Sequence, residues 1–137
     1  MDARRNTIYT AELTYAPERT IVPDIDGTLV PDKSNHVPPE LIAYIHTLKH
    51  THDVYVCSNG EKERTERIAQ KLGVAVLLAH KPYGRMPSSW KPTGGVLVVG
   101  DKYLTDGLFA QKLSARFIKV DHVVSYTDSW KIRLSYV

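Results

Sequence analysis

The amino-acid sequence predicts a single α/β domain over residues 1–137, with a doubly wound, Rossmann-like and mostly parallel sheet between helices. Short apolar runs alternate with amphipathic segments along the chain, a pattern typical of parallel strands buried between two helix layers. The 137 residues, of which 42% are hydrophobic and 24% charged, suit one globular domain with a core of its own.

The predicted elements begin with a strand at 20–24, TIVPD, although its proline has no amide to donate within a sheet. Residues 38–50 carry leucine and isoleucine at helical spacing, behind a proline and a glutamate that suit a first turn. DVYVCSNG, at 53–60, contains the second strand. The polar helix that follows, 61–73, ends at a glycine.

The second half of the chain continues the alternation. VAVLLAH, at 74–80, is the third apolar run, and GGVLVVGD, at 94–101, contains the fourth strand. A helix is predicted over 105–113 and a fifth strand within 115–124. The last stretch, 127–137, is ambiguous, with an aspartate that could cap a short helix.

Composition excludes several classes of protein. No apolar run approaches the roughly 18 residues of a membrane-spanning helix, and the first residues show no signal or transit peptide. The single cysteine, Cys57, rules out an internal disulfide and a thiolate zinc cluster, and its apolar neighbours favour a buried side chain. A net charge of +3 favours anionic partners, with no nucleic acid expected. We therefore expect an intracellular protein, either soluble or peripheral to a membrane.

Polar residues follow the predicted strands where each strand ends. In parallel sheets, ligands bind at the carboxyl ends of the strands, near the point where the strand order reverses. The sequence therefore predicts a site on one rim of the sheet, built from Asp24 to Thr28, Ser58 to Gly60, His80 to Pro82, and Gly100 with Asp101.

These residue types suit phosphoryl transfer. Crowded carboxylates repel one another and attract a hard divalent cation with oxygen ligands, of which Mg²⁺ also binds substrate phosphate. Lys81 supplies a compact positive charge, and Ser58 can donate to phosphate oxygens. Asp24 could then attack phosphorus, while Asp26 protonates the leaving oxygen and later deprotonates water.

The same residues resemble the haloacid dehalogenase (HAD) phosphatase superfamily over most of the chain. DIDGTLV matches its first motif, D-x-D-x-[TV]-L-[TV], and VYVCSN matches the second. The lysine of HKP matches the third, and VVGDKYLTD matches the fourth in its G-D-x4-D form. Four motifs in the right order, each behind a predicted strand, make a specific match.

The resemblance implies a role for each matched position. Asp24 would be the nucleophile and Asp26 the general acid and base. Mg²⁺ would be held by Asp24, the main-chain carbonyl of Asp26, and Asp101, with Asp106 supporting the metal shell. The phosphoryl group would contact Thr28, Ser58, Asn59 and Lys81.

The spacing leaves no room for the cap domain that HAD enzymes usually carry. Asp24 and Ser58 are 34 positions apart, and Ser58 and Lys81 are 23 apart. An open site admits a large substrate. HKP with a nearby GR, VVGDKYLTDGLFA and the closing TDSW resemble the capless branch that includes mitochondrial phosphatidylglycerophosphate phosphatase. Gly27 stands where that branch commonly has asparagine, and KIRLSYV replaces its basic ending.

This finer resemblance implies that the substrate is phosphatidylglycerophosphate, converted to phosphatidylglycerol at a membrane surface. In a eukaryote it implies the matrix side of the inner mitochondrial membrane. The lipid has a second phosphate, and Arg85 is the candidate cation for it. The surrounding loop, 82–92, either contacts substrate or only covers the sheet edge.

Other interpretations of the same residues stay open. A D-x-D-x-T protein phosphatase acting on phosphoserine peptides would share the open site. A phospho-receiver module is disfavoured, because its phosphorylated aspartate follows the third strand. In a non-catalytic protein the aspartates would be turn and cap residues and Lys81 a solvated lysine. EKERTER, at 61–67, is interpreted as a solvated helix face, and His50 and His52 as surface residues.

Overall fold

Five strands and three α-helices alternate along residues 6–124, the part of the chain that this computed structural model describes. The strands are β1 (Thr20–Pro23), β2 (Asp53–Val56), β3 (Ala75–Val76), β4 (Val96–Gly100) and β5 (Arg116–Lys119). The helices are α1 (Pro39–Lys49), α2 (Lys62–Leu72) and α3 (Leu108–Lys112). A 3₁₀ turn, Leu13–Tyr15, precedes β1, and a π-helical turn, Tyr103–Gly107, leads into α3. The predictions made for 127–137, including TDSW, lie outside the described residues.

The sheet is parallel throughout its described strands, in the order β3-β2-β1-β4-β5. β1 is central, and its Ile21 pairs with Val54 of β2 on one side and Leu97 of β4 on the other. The chain runs outward from β1 to β3, then crosses to β4 and continues to β5. The order therefore reverses between β1 and β4, which is where ligands bind in folds of this kind.

Helices cover both faces of the sheet, so the predicted α/β architecture is confirmed. Because side chains alternate along a strand, Ile21 and Val99 face one side and Val22 and Val98 the other. The first pair packs in a cluster with the apolar faces of α1 and α2. The second pair packs with Phe109 of α3. Among the described helices, none combines the length and the hydropathy that crossing a bilayer requires.

Two predicted elements are shorter than the apolar pattern suggested. The third strand, predicted within 74–80, pairs only at Ala75–Val76. It lies at the sheet edge, and Leu77 donates a last main-chain bond to Val56 before its side chain packs into the core. The helix predicted over 105–113 begins as the π-helical turn, and regular α3 starts only at Leu108.

Two local interpretations need correction, because some charged or polar side chains that looked solvated are buried. EKERTER is exposed at five of its seven positions, as expected, but its Arg64 and Thr65 lie on the inner face of α2. His52 is also buried, and its ring contacts the main-chain oxygen of Ala16 at 3.0 Å. The buried position predicted for Cys57 is confirmed, and burial raises the pKa of its thiol to about 11.

Candidate active site

Three carboxylates converge at the rim where the strand order reverses. Asp24 directly follows β1, Asp101 directly follows β4, and Asp106 lies on the π-helical turn beyond it. One oxygen from each carboxylate lies within 4.8 Å of the other two. The structure thus brings together three of the four aspartates predicted as metal ligands.

Lys81 joins this cluster from the segment after β3. Its side chain is 3% exposed, and its Nζ donates to Asp24 Oδ1 at 2.8 Å and to Asp106 Oδ1 at 2.6 Å. Burial alone would lower the pKa of Lys81, but the two carboxylates outweigh it and raise that pKa above its usual value. Lys81 is therefore a charged member of the site, and the interpretation as a solvated loop lysine is wrong.

Asn59 holds the main chain of Lys81 in place. Its Oδ1 accepts from the Lys81 amide at 2.7 Å, and its Nδ2 donates to the Lys81 carbonyl at 2.8 Å. The amide side chain thereby fixes the segment at a point five residues beyond the end of β3. The side chain of Asn59 is engaged with Lys81, and its predicted contact with phosphate stays a prediction.

The titration of Asp24 is perturbed by its burial in the site. Burial raises the pKa of its carboxyl to about 7, with contributions from Asp106 and Asp101, while Lys81 opposes the shift. Two of the three carboxylates, Asp24 and Asp106, share the single ammonium of Lys81, so negative charge is in excess around it. A divalent cation would relieve that excess, and an all-oxygen donor set suits a hard cation such as Mg²⁺.

Asp26 lies two residues from Asp24, but its side chain has different partners. Its carboxylate accepts two hydrogen bonds from the guanidinium of Arg64, at 2.9 and 2.7 Å, and one from the amide of Lys33 at 2.8 Å. The metal role that the resemblance implies for Asp26 uses its main-chain carbonyl, so the side-chain pairing leaves that role a prediction. Sequence reasoning missed Arg64, because it stands in a polar run in which most residues are charged and exposed.

Ser58 faces Asp26 across Gly60. The Gly60 amide donates to Ser58 Oγ at 3.0 Å. A Cβ at position 60 would lie 3.2 Å from both Ser58 Oγ and Asp26 Oδ2. Ser58 and Asp26 therefore both border Gly60, and the predicted contact of Ser58 with phosphate stays a prediction.

Asp101 is held by two residues from other parts of the chain. It accepts from Thr28 Oγ1 at 3.4 Å, and its other oxygen contacts His122 Nδ1. The second ring nitrogen of His122 lies 3.2 Å from Asp32 Oδ2. The contact of Thr28 with Asp101 places it on the carboxylate cluster, and its predicted contact with phosphate stays a prediction. Sequence reasoning missed His122, which lies 21 positions from Asp101 without a metal-binding spacing.

Gly27 makes room for His122. Its φ of 77° lies in the left-handed region, and a Cβ there would come within 2.4 Å of His122 Nδ1 and 2.6 Å of Asp101 Oδ2. Any side chain at position 27 would therefore displace the imidazole or the carboxylate. The asparagine common in the resembling branch would not fit this arrangement of His122.

Arg85 lies outside the carboxylate cluster and lines an adjoining cleft. The cleft has a volume of about 420 Å³ and is bordered by Ser58, the first turn of α2 and the segment from Val76 to His80. Lys62 and Arg85 give it positive charge, and Leu77 and Leu78 give it an apolar wall. Arg85 and Ser58 thus line the same cleft, which adjoins the carboxylate cluster.

Comparisons with protein-family models, with curated protein sequences and with solved structures found no match to this chain. What is shown is the parallel α/β fold, and the function is argued from the site.

Proposed function

We propose that this chain is a Mg²⁺-dependent phosphomonoester hydrolase of the HAD type, working through an aspartyl-phosphate on Asp24. The observation that carries the proposal is the buried cluster of Asp24, Asp101, Asp106 and Lys81 at the reversal of strand order. Two of these carboxylates share one ammonium in a largely buried site, which is costly for a fold that gains nothing from it. A site for a cation and a phosphoryl group accounts for that arrangement.

The bound cation would be held by Asp24, Asp101 and the main-chain carbonyl of Asp26, with Asp106 behind them. It would supply Lewis-acid charge that offsets the negative charge of the phosphate. Lys81 would add a second positive charge next to the attacking oxygen, which it contacts at 2.8 Å. Phosphoryl transfer depends mainly on positioning and charge neutralisation, and both are available from these residues.

The reaction proceeds in two displacements. An oxygen of Asp24 would bond to phosphorus as the ester P–O bond breaks, and Asp26, which must be protonated for this step, would give its proton to the departing alkoxide. Water then attacks the aspartyl-phosphate, Asp26 takes a proton from it, and the bond between phosphorus and Asp24 breaks. The products are the alcohol and inorganic phosphate, and both aspartates return to their starting forms.

An anionic phospholipid is the substrate class we propose, with phosphatidylglycerophosphate as the candidate. The adjoining cleft combines an apolar wall with the cations Lys62 and Arg85, which suits a glycerol-linked head group with a second phosphate. Four exposed apolar side chains lie in segments that follow β3 and β4, at the edge that carries the site: Leu78, Tyr83, Tyr103 and Leu104. They would contact the interfacial region of a bilayer while the phosphate enters the site.

A substrate panel tests both parts of the proposal. Hydrolysis of 4-nitrophenyl phosphate, phosphoserine peptides, sugar phosphates and phosphatidylglycerophosphate in mixed micelles would be measured with Mg²⁺ and with EDTA. We expect Mg²⁺-dependent turnover that is fastest on the lipid and lost in Asp24→Asn. Near-normal turnover in folded Asp24→Asn would remove the mechanism. Faster turnover of the peptides would instead favour the protein phosphatase.

Arg85→Ala tests the role of the cleft. Loss of the second cation should reduce turnover of the lipid at least 10-fold and leave 4-nitrophenyl phosphate within about twofold. Lys91→Ala is the matched control, because it removes the same charge from the same loop at a residue that does not line the cleft. Equal effects of Arg85→Ala on both substrates would separate the cleft from lipid recognition.

A further inference from the structure

His46 and His50 form an exposed pair of imidazoles at the C-terminal end of α1. They are four positions apart, so they lie on the same face of the helix. Their ring centres are 5.0 Å apart, and the ring planes meet at 81°. Two side chains with strong metal-ligating nitrogens are therefore already adjacent on an open surface.

The ring nitrogens of this pair are available to a ligand. Within residues 6–124, neither ring makes a hydrogen bond or ion pair with another residue. His52 differs, because its ring contacts the Thr51 hydroxyl at 2.8 Å and the Ala16 carbonyl at 3.0 Å. Those contacts account for the position of His52, whereas only the contact between the two rings is found for His46 and His50.

The separation of the two rings is the one that a shared metal ion requires. With a metal–nitrogen bond of 2.0–2.1 Å, a ring centre lies about 3.2 Å from the metal, and a tetrahedral angle places two such centres about 5.2 Å apart. The observed 5.0 Å is close to that value. Both side chains are exposed, so each ring can turn its nitrogen toward a common ion without disturbing the core.

The surrounding charges also suit a cation. The last turn of a helix carries the negative end of the helix dipole, which stabilises positive charge there. Lys49 lies between the two histidines in sequence, but its Nζ donates to the carbonyl of Gly73, just beyond α2. Its ammonium is thereby engaged at another helix end.

We propose that His46 and His50 chelate one divalent transition-metal ion of the class that favours imidazole, with Zn²⁺ as the probe. Histidines four positions apart on one helix face are a recurrent zinc-binding arrangement, and imidazole suits Zn²⁺, Cu²⁺ and Ni²⁺ better than Mg²⁺. In the part of the chain described, no third histidine, cysteine or acidic side chain joins the pair, so water fills the remaining coordination positions.

This site is independent of the proposed phosphatase. A helix between two parallel strands returns the chain to the start of the next strand, so α1 ends at the edge of the sheet opposite the carboxylates. The two sites also differ in chemistry, since one offers imidazole nitrogens and the other carboxylate oxygens. Zinc binding to the histidines can therefore be measured with Mg²⁺ present in excess.

Isothermal titration of tag-free protein with Zn²⁺ at pH 7.5, in 5 mM Mg²⁺, tests the proposal. We expect one Zn²⁺ per chain, and His46→Gln and His50→Gln should each weaken binding at least 10-fold. The double variant should bind about as weakly as either single variant, because a chelate needs both rings. Glutamine is a good helix former at exposed positions, so these variants should fold.

His36→Gln is the matched control, because His36 is an exposed histidine outside α1, and its Zn²⁺ affinity should stay within twofold of the parent. A second readout is urea unfolding, in which Zn²⁺ should raise the midpoint for the parent and leave that of the double variant unchanged.

Three results would overturn the inference. Parent-like affinity in both single variants would exclude the pair. Equal weakening by His36→Gln would show general binding to surface imidazoles. Zinc binding that is lost in Asp101→Ala and kept in the histidine variants would assign the ion to the carboxylate cluster instead.

Discussion

Replacing Asp24 with asparagine should stabilise the metal-free protein at pH 8, although it removes the proposed nucleophile. Burial raises the pKa of this carboxyl from 3.8 to about 7, so between these two pH values the folded chain holds a proton there that the unfolded chain has released, and at pH 8 the folded chain must bury the ionised form. The contribution of this carboxyl to the free energy of unfolding therefore falls as the pH rises from about 4 to about 7. Above pH 7 that contribution no longer changes. A shift of roughly three pKa units corresponds to about 4 kcal/mol. Asparagine has the shape of the neutral acid but cannot ionise, so it avoids the cost of burying a charge. Lys81 still pairs with Asp106 in this variant.

Urea unfolding in EDTA at pH 4 and pH 8 measures this effect. The difference in free energy of unfolding between Asp24→Asn and the parent should grow by about 3 to 4 kcal/mol in favour of the variant between the two pH values. Adding Mg²⁺ at pH 8 should reduce the difference in free energy of unfolding between the variant and the parent, because a cation that binds only the folded parent stabilises the parent.

Asp26→Asn is the control for this prediction. Its carboxylate pairs with Arg64, so the substitution should destabilise the protein at pH 8 by about 1 to 3 kcal/mol. Two aspartates two residues apart should thus respond with opposite signs. A difference for Asp24→Asn that does not change between pH 4 and pH 8 would refute the electrostatic reasoning.

Three more predictions test the cluster and its supports. Asp101→Ala should raise the Mg²⁺ concentration for half-maximal turnover at least 10-fold, and an unchanged Mg²⁺ titration would show that Asp101 does not hold the cation. Gly27→Ala should lower the free energy of unfolding in urea by about 1 to 3 kcal/mol, because φ is 77° and the Cβ meets His122; a loss below 0.5 kcal/mol would contradict this. Asn59→Ala removes both side-chain bonds to Lys81 and should lower turnover of 4-nitrophenyl phosphate together with stability in urea. Loss of stability at full turnover would show that Lys81 needs no such support.

Most of the fold could be predicted from the sequence, because apolar periodicity depends on burial and the sheet is buried on both faces. The exceptions occur where the local apolar pattern predicts one structure and the available strand partners allow another. VAVLLAH has the composition of a strand, but as the edge of the sheet it finds a partner only on one side, and Leu77 packs into the core. Pro23 fits in β1 because it is the last residue there, and its carbonyl still accepts from the Cys57 amide.

The acidic residues of the site could also be found, since they follow strands that meet at one edge. Arg64 and His122 could not, because each acts through a contact with a residue far away in sequence. Arg64 is 38 positions from Asp26 and looks like one more charge on a polar helix. The available signal was its position, because Arg64 lies in the first turn of α2, directly after the polar residues that follow β2. For His122 the signal was the glycine at position 27, which leaves space that another part of the chain fills.

The central position of β1 has a consequence for synthesis of the protein. Its Thr20 pairs with Asp53, 33 positions later, and with Val96, 76 positions later. At 5 to 20 residues per second, a ribosome needs roughly 4 to 15 s to synthesise the chain from Thr20 to Val96. For that time the apolar flank of β1 that β4 will cover has no strand beside it, and contacts of such long range also form slowly. Nascent chains arrested before residue 96 should therefore stay sensitive to protease at β1, and the carboxylate cluster can assemble only after β4 has left the ribosome.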